Sequence, residues 1–178
     1  MSVDFIIYSA EGMELGSGTV PTAEQARAQL TVKPEGSVIY VLPNGTVGNR
    51  GPDGVPFLAP LRAHYTALID AAAEAERLKY ITAGYGQAMT YLAKSAEARA
   101  FMADPQAVTP FLSAEAEAMG ATVAEIAAKV SEAEAAWRVI GGAIESVRMA
   151  SKAAVAAAAT LPAIVAAAEV EWPRVSDT

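Results

Sequence analysis

Cysteine is absent from this 178-residue sequence, and histidine occurs only once. Without thiols the chain can form no disulfide, thiolate metal site or cysteine nucleophile. One histidine makes a Ser-His-Asp triad or a metal site with several histidine ligands hard to build. Basic residues are also few, with 13 Lys and Arg against 20 Asp and Glu and a formal net charge of -7. We therefore expect no nucleic-acid partner.

Long hydrophobic runs are missing as well. The longest uncharged window lies between Lys152 and Glu169, is mostly alanine and is interrupted by Pro162. It falls short of the roughly 20 strongly apolar residues that a bilayer requires. Near the N-terminus, Asp4 stands where a signal peptide would carry a basic residue, and the apolar run after it has the length of a strand. We expect neither a membrane span nor a targeting segment.

The composition changes near Pro60. Residues 1–60 hold 8 of the 13 Gly and 6 of the 10 Pro, whereas Ala falls almost wholly after residue 60. This contrast predicts an α+β fold, with a small N-terminal β-rich unit of ββαβ type followed by a long-helix bundle or coiled coil. The predicted domains are a β-rich docking domain (1–43), a Gly/Pro-rich connector (44–60), a helical bundle (61–162) and a C-terminal tail (163–178).

Local signals predict the elements of both regions. Strands are expected over residues 3–8, 13–20 and 37–42, the first two as a hairpin, with a helix over 23–30. Helices are expected over residues 61–79, 87–102, 111–119 and 122–160. Thr22 with Gln25, and Thr122 with Glu125, fit capping boxes, and Gly120 fits a C-terminal cap. In the connector, Gly recurs at every third position from Gly45 to Gly54. This predicts an extended or turning segment, or a short threefold-packed one.

The last predicted helix carries an apolar stripe with heptad spacing, called the seam below. Its positions, four and three residues apart in alternation, are Ile126, Val130, Ala133, Trp137, Ile140, Ile144 and Val147. The same frame continues through Ser151, Ala154, Ala158 and Leu161. A mean spacing of 3.5 residues favours wrapping around another helix, so the seam is the predicted surface for helix packing and oligomerisation. The partner is either the antiparallel segment 61–102 of the same chain or the same helix of other subunits, and periodicity leaves both open.

Four charged residues flank the seam: Arg138, Glu145, Arg148 and Lys152. Charges in such positions set the register and the partner choice of paired helices. Trp137 is interpreted as a large core residue, with an anchor for a binding groove as the alternative. Trp172-Pro173-Arg174, after the last helix, is interpreted as a docking tail or as a frayed end.

Few residues suggest catalysis. His64 lies near Tyr65 and Asp70, but no nucleophile or second ligand lies at helical spacing from it. Gly84-x-Gly86 lacks the later glycine and the preceding strand of a dinucleotide fingerprint. We therefore predict no catalytic, cofactor-binding or metal-binding residues and no small-molecule substrate.

Carboxylate pairs offer one enzymatic alternative. Four glutamates stand two residues apart in pairs that point to different helix faces: Glu115, Glu117, Glu132 and Glu134. A cell-wall hydrolase would need two acidic side chains about 5 to 9 Å apart in a cleft. Glu97 with Glu115 or Glu125 is the arrangement that such an enzyme would use.

The stretch from Tyr80 to Phe101 is similar to a segment common in the tail proteins of tailed bacteriophages. The residues that carry the similarity are Ile81-Thr82-Ala83-Gly84, Gln87, Tyr91, Lys94 and Glu97-Ala98. The continuation resembles the same pattern at residues 111–116, 122–127, Trp137 and 144–148, and residues 4–8 resemble its start. The resemblance thus covers most of the chain.

This resemblance implies a non-enzymatic, structural role in the phage tail, as a tail-fibre or baseplate attachment or connector subunit. Such a protein would be made in the cytoplasm of the bacterial host and located in the virion. Its expected partners are copies of itself, with a trimer as one arrangement, and other tail proteins. The alternative is a tail-fibre assembly chaperone that is not retained in the virion.

Overall fold

The computed structural model describes residues 2–10, 12–47, 58–82 and 84–174. The predicted α+β class is confirmed, because a small antiparallel sheet precedes a series of long helices. The strands are β1 (Val3–Tyr8), β2 (Glu14–Val20) and β3 (Val38–Leu42). The helices are α1 (Ala23–Ala28), α2 (Leu58–Arg77), α3 (Tyr85–Ala103), α4 (Pro110–Met119), α5 (Val123–Ala157) and α6 (Leu161–Ala168), and a 3₁₀ turn, Gln29–Val32, follows α1.

The chain divides into two compact units. The first comprises Met1–Tyr65 together with Ala158–Ile164, and the second comprises Thr66–Ala157 together with Val165–Thr178. Most of the predicted connector, residues 48–57, lies outside the described residues. The predicted domain boundaries therefore stay predictions.

In the first unit the sheet has the order β2-β1-β3, with both pairings antiparallel. The apolar strand β1 is the central strand. Because successive side chains of a strand point to opposite faces, Phe5 and Ile7 share one face and pack there with Ala26 of α1. The hydroxyl of Thr22 accepts from the backbone N–H of Gln25 at 3.2 Å and caps α1 as predicted. The predicted ββαβ order is confirmed.

Asp4 is a buried carboxylate on the other face of β1. Its side chain accepts a hydrogen bond of 2.6 Å from the Thr19 hydroxyl and another of 2.6 Å from the backbone N–H of Val47. Both bonds compensate the removal of the carboxylate from water. The second bond also links the turn after β3 to the central strand of the sheet. In this turn Gly45 has the positive φ of 91° that the Asn-Gly pair predicts.

Caps and breakers place the helix ends close to the predicted positions. Glu125 and Thr122 exchange hydrogen bonds at the start of α5, and Gly120 closes α4 in the left-handed conformation. One prediction is wrong: Pro60 does not precede α2 but lies in its first turn. A first-turn residue has no intrahelical partner for its N–H, so proline costs little there.

α6 was not predicted. α5 ends at Ala157, and a separate helix begins at Leu161 with Pro162 in its first turn. The hydroxyl of Thr160 accepts from the backbone N–H of Ala163 at 3.3 Å, as a residue that caps a helix does. Thr160 followed by Pro162 is the sequence signal that marks this new start.

Candidate functional site: the seam of α5

The structure places the seam residues at three levels of exposure. Ile126, Ile140 and Ile144 are buried, with at most 5% of their surface exposed. Val130, Trp137 and Val147 are half-buried, and Ala133 is exposed. The seam is therefore covered unevenly along its length, and two separate apolar clusters account for the covering.

The N-terminal section of the seam is covered by helices of the same chain. Ile126 and its neighbour Ala127 form a cluster with Ala98 of α3 and with Leu112 and Ala116 of α4. Further half-buried residues pack against this cluster: Phe101, Ala121, Val123 and Val130. For this section, the question that periodicity left open is answered in favour of packing within the chain.

The central section of the seam has a different cover. Ile140 and Ile144 form a cluster with Ala73 of α2, and the two tryptophans of the chain, Trp137 and Trp172, pack against it. Trp172 lies beyond α6 in a segment without helix or strand. Since its indole contacts the cluster, the interpretation of this segment as a frayed end is wrong.

Trp137 depends on a glycine one turn further along α5. A Cβ atom added to Gly141 would lie 2.9 Å from the indole ring of Trp137, closer than side-chain carbons approach each other. At the adjacent Gly142 an added Cβ would meet no atom within 4 Å. Gly141 is therefore the residue that makes room for the indole on the helix surface.

Beyond Val147 the predicted frame of the seam is wrong at Ala154, whereas Ser151 and Ala158 are half-buried and Leu161 is buried. It expects Ala154 inside, but Ala154 is exposed and Val155 is fully buried. The two buried residues Ile144 and Val155 are eleven positions apart, which corresponds to three turns of a nearly straight helix. A strict heptad frame persists only where a partner helix supercoils with it, so the stripe drifts in this section.

Ion pairs join α2 to α5 beside the central section. Asp70 of α2 accepts from Arg148 at 2.6 Å and from Lys152 at 2.8 Å. Glu145 of α5 accepts from Arg77 of α2 and from Arg148, each at 2.7 Å. Three of the four charges predicted to flank the seam, Glu145, Arg148 and Lys152, thus pair with residues of α2. The fourth, Arg138, pairs with Glu134 one turn earlier on its own helix.

These contacts shift the titration of the carboxylates. Hydrogen bonds from Lys152 and then Arg148 hold the pKa of Asp70 below its ordinary value. The hydrogen bond from Arg148 is likewise the largest cause of the lowered pKa of Glu145. The same two carboxylates raise the pKa of Arg148. All these shifts favour the charged forms, so the pairs are ionic at neutral pH.

The polar residues that carry the phage-tail resemblance hold helix junctions. The hydroxyl of Tyr91 donates to that of Thr82 at 3.0 Å, across the turn between α2 and α3. Lys94 lies 5.9 Å from the centre of the Tyr91 ring and pairs with Glu115 of α4 at 2.6 Å. Glu97 accepts from the first free N–H groups of α4. Within this run, Lys94 and Glu97 thus join α3 to α4, and Tyr91 joins α3 to the segment before it.

The carboxylates considered for a hydrolase all have such structural contacts. Glu97 accepts from the N–H groups of Phe111 at 3.2 Å and Leu112 at 2.9 Å, which caps α4. Glu115 pairs with Lys94, and Glu125 accepts from the N–H of Thr122, which lowers the pKa of Glu125. The capping role of Glu97 was missed because the capped groups lie 14 and 15 residues away in sequence.

His64 belongs to the first unit. Its ring meets that of Tyr65 edge-on with centroids 5.2 Å apart, and it lines a cavity of about 200 Å³ with Leu61 and the turn 43–46. Burial, and to a smaller degree Tyr40, raises the pKa of Tyr65. A second cavity, of about 400 Å³, is lined by residues 78–82 and Tyr91 in the second unit.

Within the part of the chain that the structure describes, no three His, Asp or Glu side chains are grouped so that they could hold a metal ion. None of the described helices has both the length and the apolarity required to cross a membrane. No protein family, curated protein or solved structure matches the chain.

Proposed function

We propose that this protein is a structural component of a bacteriophage tail, a tail-fibre or baseplate attachment or connector subunit. It acts through helix–helix oligomerisation of α5. The phage setting is supported by the similarity of residues 80–101 to phage tail proteins. The role in association is supported by the heptad seam, and in particular by the kind of cover over its central section, where the described cluster holds only Ala73 of α2 and Trp172 of the tail from outside α5.

The observation that carries this proposal is the contrast between the two sections of the seam. Two helices, α3 and α4, cover the N-terminal section with Leu112, Phe101 and several smaller residues. In the described cluster of the central section, Ile140 and Ile144 receive one methyl group from α2 and one indole from the tail. Large apolar residues at heptad spacing are stabilised best by another helix, so a second α5 is the natural partner for this section.

The first unit offers a way to attach the oligomer to a neighbouring tail protein. The sheet order places β2 and β3 at the two edges of the described sheet. The edge strand of a sheet is a place to which a strand of another protein can add. In our proposal the sheet docks to a neighbouring tail component while α5 joins copies of the chain.

The assembly-chaperone alternative is favoured by a different observation. Three large apolar side chains of α3 and α5 are more than 70% exposed: Met89, Leu92 and Val139. Met89 and Leu92, three positions apart, lie on one face of α3, and an exposed apolar patch is typical of a surface that binds another protein. A chaperone would use them to hold a fibre protein until that protein oligomerises, and would then leave.

Quantitative mass spectrometry of purified phage particles tests the proposed function. A structural subunit should be present at a fixed copy number comparable to that of other tail proteins. Its absence from the particle would overturn the virion role. Co-expression with the fibre protein then tests the alternative, because a chaperone raises the soluble yield of the fibre and is missing from the assembled product.

A further inference from the structure

We infer that residues 169–174 form an intramolecular strap over the seam. In the single subunit Trp172 covers Ile140 and Ile144, and on association it gives way to α5 of a second copy. This inference rests on the proposed function, since it assumes that copies associate through α5. It adds which section of α5 they use and what covers that section beforehand.

The strap belongs to the second unit, and its largest contact with α5 there is made by Trp172. Its backbone is tied at its start, where the N–H of Glu169 donates to the carbonyl of Ala166 at 3.3 Å. Among the described residues, no hydrogen bond or ion pair holds positions 170–174. Glu171 and Arg174 are exposed, Val170 and Pro173 are half-buried, and Trp172 packs against the Ile140 and Ile144 cluster. A segment held by apolar contacts alone can leave without breaking a polar network.

Trp172 is also the one large apolar side chain from outside α5 in the described cluster. Ala73 of α2 supplies only a methyl group. An indole covers one turn or two of a helix, whereas a partner helix with the same heptad seam follows Ile140, Ile144 and Val147 in succession. A second α5 can therefore replace the indole with a longer apolar contact.

The remaining packing of α5 does not depend on the strap. Arg77 pairs with Glu145 at 2.7 Å, and Asp70 pairs with Arg148 at 2.6 Å, so α2 has contacts with α5 that do not involve the strap. Lys152 adds a third link from α5 to Asp70. Release thus requires movement of the tail alone, and it exposes the side of α5 that α2 does not fill.

Competition between the strap and a second copy sets a concentration threshold. A short tether keeps Trp172 at an effective concentration of about millimolar near the seam. Free subunits at lower concentration keep the strap closed, whereas subunits brought together on a growing tail exceed the threshold locally. The strap would therefore restrict association to the site of assembly.

The experiment uses the full chain, in which both tryptophans lie in this cluster. In the variant Trp137→Phe, Trp172 is the sole indole, and acrylamide quenching of its fluorescence reports whether it is covered. We measure this quenching together with mass by light scattering across a concentration series. Quenching of Trp172 should rise in step with the appearance of oligomers. If Trp172 stays protected in the oligomer, the strap is overturned while association stands.

Substitutions at the strap provide the second arm. Trp172→Ala should associate at a concentration at least about tenfold below that of the wild type, because the tethered competitor is gone. The association concentration of Trp172→Phe should lie between those of Trp172→Ala and the wild type. Glu171→Ala, at an exposed neighbouring position, should associate at the same concentration as the wild type. Unchanged or weaker association of Trp172→Ala contradicts the strap. Circular dichroism checks that each variant folds. If Trp172→Ala does not fold, the association of Trp172→Phe and the quenching of Trp172 test the strap instead.

The two proposals fail in different ways. If no variant associates at any concentration, both the strap and oligomerisation through the seam are wrong. If the strap opens on association but purified particles lack the protein, the virion role fails and the strap stands.

Discussion

The carboxylate of Asp70 accepts a 2.6 Å hydrogen bond from the guanidinium of Arg148, 78 residues further along the chain. Lys152, one turn beyond Arg148, bonds to the same carboxylate. One acidic residue of α2 therefore holds two basic residues of α5. The pairing fixes how α2 lies beside the central section of the seam, where α2 itself contributes only Ala73 to the described apolar cluster.

Asp70→Asn should lower the unfolding temperature at neutral pH by a few degrees at most, since the pairs are partly exposed. The pKa of Asp70 is lowered in the folded chain. Its contribution is therefore complete above about pH 5 and is lost as acid protonates the folded carboxyl. Thermal unfolding of both proteins from neutral to acidic pH should show the difference shrink. Glu132→Gln, on an exposed residue without a described ion pair, is the control, and a difference that grows in acid would contradict this role.

Gly141→Ala and Gly142→Ala form a matched pair on one helix. Alanine at position 142 should raise the free energy of unfolding by about 1 kcal/mol, because glycine is the poorer helix former and the site is open. At position 141 the new methyl group meets the Trp137 ring, so the gain should be lost and the tryptophan emission should shift. Denaturant unfolding and fluorescence measure both effects. Equal stabilisation with unchanged emission would show that Trp137 does not need Gly141.

Glu97→Ala should lower the free energy of unfolding by about 1 kcal/mol, the usual value of a helix cap. The substitution leaves the N–H groups of Phe111 and Leu112 without their acceptor, so both amides should exchange faster with deuterium. Glu97→Gln keeps an acceptor oxygen and should recover part of the loss. Glu117→Ala, at an exposed position of α4, should change neither quantity. Unaltered exchange at both amides in Glu97→Ala would rule out the cap.

Local signals were sufficient for most of the secondary structure. Thr122 with Glu125 and the left-handed Gly120 mark helix ends through contacts only a few residues apart, and these are readable in the sequence. The start of α6 carried a similar signal at Thr160 and Pro162 that was overlooked. The cap at α4 had no such signal, because Glu97 reaches it from another helix.

The seam was predictable as a stripe but not in its surroundings. The spacing identifies Ile126, Ile140 and Ile144, which the structure buries, but it also includes Ala133, which is exposed. Periodicity carries no information on what covers them, and so it predicted neither α4 over one section nor Trp172 over the other. It also failed at Ala154, because Val155, eleven positions or three straight turns beyond Ile144, is the residue that is buried.

Because the chain has no cysteine, one introduced thiol can report where copies meet. Ala133 belongs to the seam and is exposed in the single subunit, whereas Ser146 is exposed about 140° further around α5. At concentrations where the chain associates, we predict that oxidation cross-links Ala133→Cys into dimers and leaves Ser146→Cys monomeric on non-reducing gels. Efficient cross-linking of Ser146→Cys, with none of Ala133→Cys, would contradict association through the seam.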